Sequence, residues 1–170
     1  MPFGLYGELE SDNQNGIPVE VPNEYALCNG NRIIARQVKL MGASENKELI
    51  RTIFASSNPA AFLDAMSDDV KFTLTGTTKF SGTFNSKAEL VAKLFGPLFA
   101  ALDENGIALT PHNLIADGEF VVMQSRGKAT AKNRLPYNNN YCHVFRVTNG
   151  KIREITEYLD TELVSHVFGK

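Results

Sequence analysis

Chemistry near neutral pH needs a side chain that gives and takes a proton, and the last third of the sequence offers a group of them. In the run 140–147, strand alternation puts Tyr141, His143 and Phe145 on one face and Cys142, Val144 and Arg146 on the other. An unperturbed imidazole titrates at roughly pH 6.5, so His143 is an acid–base candidate. Glu157, on the next run, complements it, because a desolvated carboxyl has a raised pKa and can serve as acid or base. Tyr141 can donate to an enolate or alkoxide oxygen as it develops. The plainer alternative assigns all three to structure: His143 a satisfied core histidine, Glu157 a rim charge, Tyr141 packing.

Whether Glu157 shares that face depends on the turn between the runs. A two-residue Asn149-Gly150 loop sets Thr156 opposite His143, Tyr158 opposite Tyr141, and Arg146 against Arg153. A three-residue Thr148-Asn149-Gly150 loop, with Gly150 left-handed, sets Ile155 opposite His143 and Glu157 opposite Tyr141. Like charges facing each other across strands are unfavourable, so the three-residue register is preferred. It gathers Tyr141, His143 and Glu157 among apolar neighbours.

Arg126 lies on the run 120–132 and shares a face with Gln124 and Lys128. Arg126 and Gln124 are candidate substrate-binding residues, the guanidinium as a clamp for a carboxylate or phenolate, with Phe145 as apolar wall. The alternative is a solvated strand face. His112, between Pro111 and Asn113, reads as an edge or loop residue, and His166 as surface or capping. No His/Cys/Asp/Glu cluster has metal-ligand spacing, and Thr75-Gly76-Thr77-Thr78 lacks the Gly-Lys-Ser/Thr ending of a phosphate loop. No metal or cofactor is expected.

The elements that must position these residues are readable in outline. Ser44 reads as a helix cap with Glu45 in the first turn, ahead of an apolar face of Leu49, Ile50, Ile53 and Phe54. Asn58-Pro59 starts a second helix through Ala61, Phe62, Ala65 and Met66. Val70, Phe72 and Leu74 alternate as a half-buried strand. Ser86-Lys87-Ala88-Glu89 is a capping box, followed by the stripe Leu90, Val91, Leu94, Phe95, Leu98, Phe99, Leu102, with a kink expected at Gly96-Pro97. Asp117-Gly118 and Thr148-Asn149-Gly150 each sit inside a hairpin, and Asp160 caps a last helix that Gly169 stops. Segregated helices with an antiparallel sheet mean an α+β fold, in which a curved sheet wrapped on the long helix leaves an open end suited to a small molecule.

The stretch Ser81-Gly82-Thr83-Phe84 before the capped helix, and the sequence from Tyr141 to Ile152 running on to Glu157-Tyr158-Leu159-Asp160, resemble the SnoaL-like branch of the nuclear-transport-factor-2-like superfamily, home of ketosteroid isomerases and polyketide cyclases. The resemblance covers about 44–169. It implies a cone-shaped fold, His143 on the pocket face, a hydrophobic small-molecule ligand and a homodimer. Function does not follow from this fold, which hosts isomerases, cyclases, dehydratases, epoxide hydrolases and binding modules. Of the three ketosteroid-isomerase roles, the carboxylate base would fall near Thr73 or Leu74 and the tyrosine near Ile50, where neither side chain can serve; the acid donor would fall on His143. Isomerisation by that mechanism is therefore not expected. Two readings stand: cofactor-free proton transfer (isomerisation, cyclisation or dehydration) on a hydrophobic carbonyl compound through His143, Glu157 and Tyr141, or a non-catalytic ligand-binding or dimerisation module.

Composition closes off other classes. With 17 basic and 19 acidic residues among 170, no electrostatic case exists for nucleic acid or a membrane surface. No apolar run reaches the roughly 18 residues of a membrane span. Two distant cysteines, Cys28 and Cys142, fit a reducing compartment, and Met1–Glu10 lacks the features of a secretory signal, so a cytoplasmic protein is expected. Residues 1–43 read as an N-terminal extension, an arm or short hairpin about Asn29-Gly30, and 44–170 as the domain.

Overall fold

A computed structural model describes residues 42–56, 58 and 60–169. The extension expected over 1–43 lies, but for Gly42 and Ala43, outside the described residues, as does Pro59. Helices α1 (Ala43–Ala55) and α2 (Ala61–Ala65) precede β1 (Met66–Leu74) and β2 (Gly82–Phe84). A helical stretch follows: α3 (Lys87–Leu90), a π turn over Val91–Phe95, and α4 (Gly96–Ala101). Then come β3 (Ala108–Asp117), β4 (Phe120–Lys128), β5 (Asn140–Thr148), β6 (Lys151–Tyr158) and α5 (Thr161–Phe168). The six strands form one open, curved sheet in the order β2-β1-β6-β5-β4-β3, antiparallel except where β1 runs parallel to β6. The fold is α+β, as expected.

Local chemistry explains the elements and the places where they depart from expectation. α1 begins at Ala43, so Ser44 lies within the first turn rather than capping it, and Gly42 is the extended residue before the helix. Ile50 and Ile53 are buried and Leu49 and Phe54 pack beside them, the face expected. Met66 opens β1 instead of ending α2. Half of the capping box forms: Ser86 Oγ accepts from the Glu89 N–H at 3.1 Å, while Glu89 Oε2 reaches one residue further back and accepts from the Asn85 N–H at 2.8 Å. The kink expected at Gly96-Pro97 is a widened turn just before it, where the Gly96 N–H donates to the Val91 carbonyl five residues back. Proline has no N–H and its ring presses on the carbonyl four residues back; widening the turn relieves both. Pro111 and the bulge at His112 sit on edge strand β3, where a missing donor and an extra residue are tolerated.

The last hairpin settles the register. Asn149 and Gly150 both have positive φ (54° and 72°), the type I′ pattern, and Thr148 pairs with Lys151 across a two-residue loop. The three-residue loop preferred from sequence does not form. Between Val147↔Ile152 and Arg146↔Glu154 the register shifts by one residue, with Arg153 as the extra residue of a bulge. Arg146 therefore meets Glu154 instead of Arg153, and its guanidinium donates to Glu154 Oε1 at 2.8 Å and Glu119 Oε2 at 2.9 Å. The bulge also lets Ile152 and Ile155, three apart, both point inward. Downstream, His143 pairs with Glu157 and Phe145 with Ile155.

Candidate functional site

His143 and Glu157 face each other directly across β5 and β6, and Nε2 of His143 lies 2.7 Å from Oε2 of Glu157. Tyr141, His143 and Phe145 share the inner face, as strand alternation requires, while Cys142, Val144 and Arg146 lie on the other. The imidazole is stacked between its neighbours along the strand: its centroid is 5.7 Å from Tyr141 and 5.6 Å from Phe145, at 21° and 9°. His143 is 2% exposed. A carboxylate oxygen only accepts, so the 2.7 Å contact places a proton on Nε2 of His143. Nδ1 is buried and has no hydrogen-bond partner among the described residues. The Glu157 side chain is 14% exposed, so of the two it offers more surface.

Both residues line a cavity of about 560 Å³. Its walls are mostly apolar: Phe54 and Phe62 from the first two helices, Phe95, Leu98 and Phe99 from the long helical stretch, Ile107 to Leu109 where β3 begins, and Leu159 and Val164 at α5, with Ser56 and Asn105 as polar exceptions. Four rings form a continuous series, Phe54–Phe62, Phe62–Phe95 and Phe95–Phe99, with centroids 5.2, 6.4 and 6.0 Å apart. Phe54 also reaches His143 at 6.3 Å. Glu157 is the one carboxylate among the lining residues, and no lysine or arginine is among them.

Tyr137 and Tyr141 also line the cavity. Burial pushes the Tyr141 phenol far above the usual tyrosine range, and the neighbouring Tyr137 phenol and the Glu157 carboxylate add to the shift. Burial raises Tyr137 as well. Both phenols therefore stay protonated and able to donate. Asn139 is 1% exposed and ties this corner together. Its Oδ1 accepts from the Asp160 N–H at 2.9 Å and its Nδ2 donates to the Asp160 carbonyl at 3.2 Å.

Of the six residues singled out from sequence, the fold brings His143, Glu157 and Tyr141 to the cavity. Phe145 is fully buried behind the imidazole and is not among the lining residues. Gln124 and Arg126 alternate with buried Met123 and Ser125, so they stand on the outer face, exposed, away from the cavity. Gln124 instead accepts from Asn113 at 3.1 Å. A run of alternating residues gives parity but not which parity faces in, and the polar reading of Arg126 as a clamp chose the wrong side. Sequence reasoning missed Tyr137, which follows Pro136 in a connection without periodicity. It placed Phe54, Phe62, Phe95 and Phe99 on apolar helix faces without assigning them to a cavity. Of the ketosteroid-isomerase positions, Ile50 is in the core, Leu74 lines the cavity, and the Thr73 hydroxyl meets Thr83 at 3.1 Å.

The SnoaL-like domain matches residues 47–155, more than half of the chain. The chain belongs to the SnoaL-like family. No curated protein matches it. Among solved structures, this SnoaL-like chain is similar to an NTF2-like protein from Burkholderia thailandensis (25% identity, TM-score 0.63, covering 72% of this chain and 95% of that one). It is also similar to an NTF2-like protein of unknown function from Burkholderia pseudomallei (21%, 0.64, 74% and 98%). A third is TerC, co-crystallised with polyporic acid (20%, 0.62, 74% and 98%). Among the described residues, no group of three or more His, Cys, Asp or Glu could hold a metal ion, and no helix is long and apolar enough to cross a membrane.

Proposed function

We propose that this SnoaL-like protein catalyses proton transfer on a hydrophobic carbonyl compound held in the cavity, with His143 and Glu157 as one acid–base unit. The observation that carries this is the 2.7 Å contact between a buried imidazole and a carboxylate at the wall of a mostly apolar hollow. Apolar surroundings strengthen that pair electrostatically and exclude competing water. The carboxylate is the more exposed partner, so it meets the substrate. A carbon–hydrogen bond α to the carbonyl breaks, its proton goes to Glu157, and the electron pair moves to the carbonyl oxygen as an enolate. His143, donating to Oε2, holds the carboxylate in place. Tyr141 donates to the enolate oxygen. The proton then returns to carbon, at the same or a conjugated position. That a structural relative, TerC, was co-crystallised with polyporic acid supports an organic ligand for this protein.

The test is solvent-deuterium incorporation into a panel of hydrophobic enolisable ketones, read by mass spectrometry. Wild-type protein is expected to catalyse exchange into at least one, and Glu157→Gln to slow it about 10²- to 10⁴-fold, the usual worth of a general base. Exchange unaffected by Glu157→Gln contradicts the reading.

The reading includes a homodimer through the outer sheet face, supported by Ile115, Phe120 and Tyr158, which stand about half exposed there. Light scattering is expected to give twice the 18.7 kDa chain mass; a monomer mass removes this part.

A further inference from the structure

The geometry points to Gly127 as the positioning residue of the site: its missing side chain is the space in which the Tyr141 ring lies, and through that ring it sets the His143 imidazole. Gly127 is on the inner face of β4, buried, one alternation beyond Ser125, the cross-strand partner of Tyr141. A Cβ built on Gly127 would stand 2.5 Å from Cε2 of Tyr141 and 3.4 Å from both Cδ2 and Cζ. The first distance is well inside van der Waals contact, and the atom met is part of a rigid buried ring. The glycine is not required by its backbone. Its φ is not positive, and its N–H makes an ordinary strand-end hydrogen bond to the Asn139 carbonyl at 2.8 Å. A glycine inside a strand without a conformational reason marks a close approach, and here the approaching group is Tyr141.

The consequence reaches the acid–base pair. Tyr141 stacks on His143 at 5.7 Å, and Phe145 closes the other side at 5.6 Å. A ring held between two others follows its neighbours, so a displaced Tyr141 turns or shifts the imidazole and lengthens the 2.7 Å contact to Glu157. The three atoms nearest to that Cβ all belong to the Tyr141 ring, so the substitution acts through Tyr141. Its effect must therefore vanish when the ring is gone.

This inference rests on the proposed role of His143 only for its effect on rate; its structural half is tested without substrate. The ring C–H resonances of the three histidines, His112, His143 and His166, are followed by NMR in wild type, Gly127→Ala, Tyr141→Leu and the double variant. Gly127→Ala is expected to move the His143 signal and leave the other two, and to do nothing further to it in the Tyr141→Leu background. If exchange activity is found, Gly127→Ala is expected to lower it about a hundredfold, the scale of a misplacement near 1 Å. If Gly127→Ala does not fold, the double variant is expected to fold, because the clash is removed. An unmoved His143 signal in Gly127→Ala, or equal damage with and without the Tyr141 ring, overturns the proposal. A moved signal in a protein that exchanges no ketone leaves Gly127 as positioned here and overturns only the catalytic reading.

Discussion

A buried imidazole is stable where it is because a carboxylate accepts from it, and that dependence is measurable. Glu157→Leu removes the acceptor from a side chain with 2% exposure, leaving a buried N–H unpaired at a cost of about 1–3 kcal/mol. Replacing both members, His143→Leu with Glu157→Leu, removes donor and acceptor together and is expected to recover most of that loss in urea unfolding. Tyr141 supplies a second residue-level expectation, with its sign fixed by the raised phenol. The folded state holds the proton that the unfolded chain loses at roughly pH 10, so the stability tied to it is complete below that pH and is lost as pH rises further. Tyr141→Phe removes the group and is expected to flatten the alkaline fall of unfolding free energy relative to wild type. An alkaline limb as steep as wild type's contradicts the burial assigned to this phenol.

At the scale of elements, two caps hold the pieces that frame the cavity. Ser86 starts the long helical stretch, and Asp160 Oδ1 accepts from the N–H groups of Glu162 and Leu163 at 3.0 and 3.1 Å to start α5. Ser86→Ala and Asp160→Ala are each expected to cost about 1 kcal/mol in urea unfolding, without moving the His143 ring signal. Both caps were legible because a cap is written in adjacent residues: a short polar acceptor followed by the N–H groups it serves. The register of the last hairpin was not. The Asn149-Gly150 turn is local chemistry, but the bulge at Arg153 is a response to what faces it across the sheet, Arg146 on one side and the inward-pointing Ile152 and Ile155 on the other. Counting from the turn thus sets Thr156 opposite His143, and the bulge sets Glu157 there. The same-face reading of Tyr141, His143 and Glu157 holds because the register preferred from sequence and the observed one differ by two residues, an even number that keeps the face.

For the molecule as a whole, the fold class was legible because one amphipathic helical stretch and several alternating runs admit few packings. The placement of Gln124 and Arg126 and the recruitment of Tyr137 were not, since both depend on which side of a sheet closes over the helices and where an aperiodic connection is tied down. Charges on the outer face follow ordinary surface chemistry. Hydrogen bonds from Arg146 and then Thr148 hold the Glu119 carboxyl below the usual carboxylate range. Its contribution is present above the unfolded value, roughly pH 4.3, and is lost as pH falls through the folded one. Glu119→Gln is expected to make the acid limb of the pH–stability curve shallower, read as the urea midpoint against pH; an unchanged limb contradicts that pairing.

The most direct test of the acid–base unit is a pair of numbers on one variant: affinity for a hydrophobic ketone and the rate of deuterium exchange into it, both with Glu157→Gln. The account predicts affinity within a few fold of wild type, because the apolar walls are untouched, and exchange lowered by about 10² or more. Exchange and affinity falling together, or neither changing, would contradict Glu157 as the base.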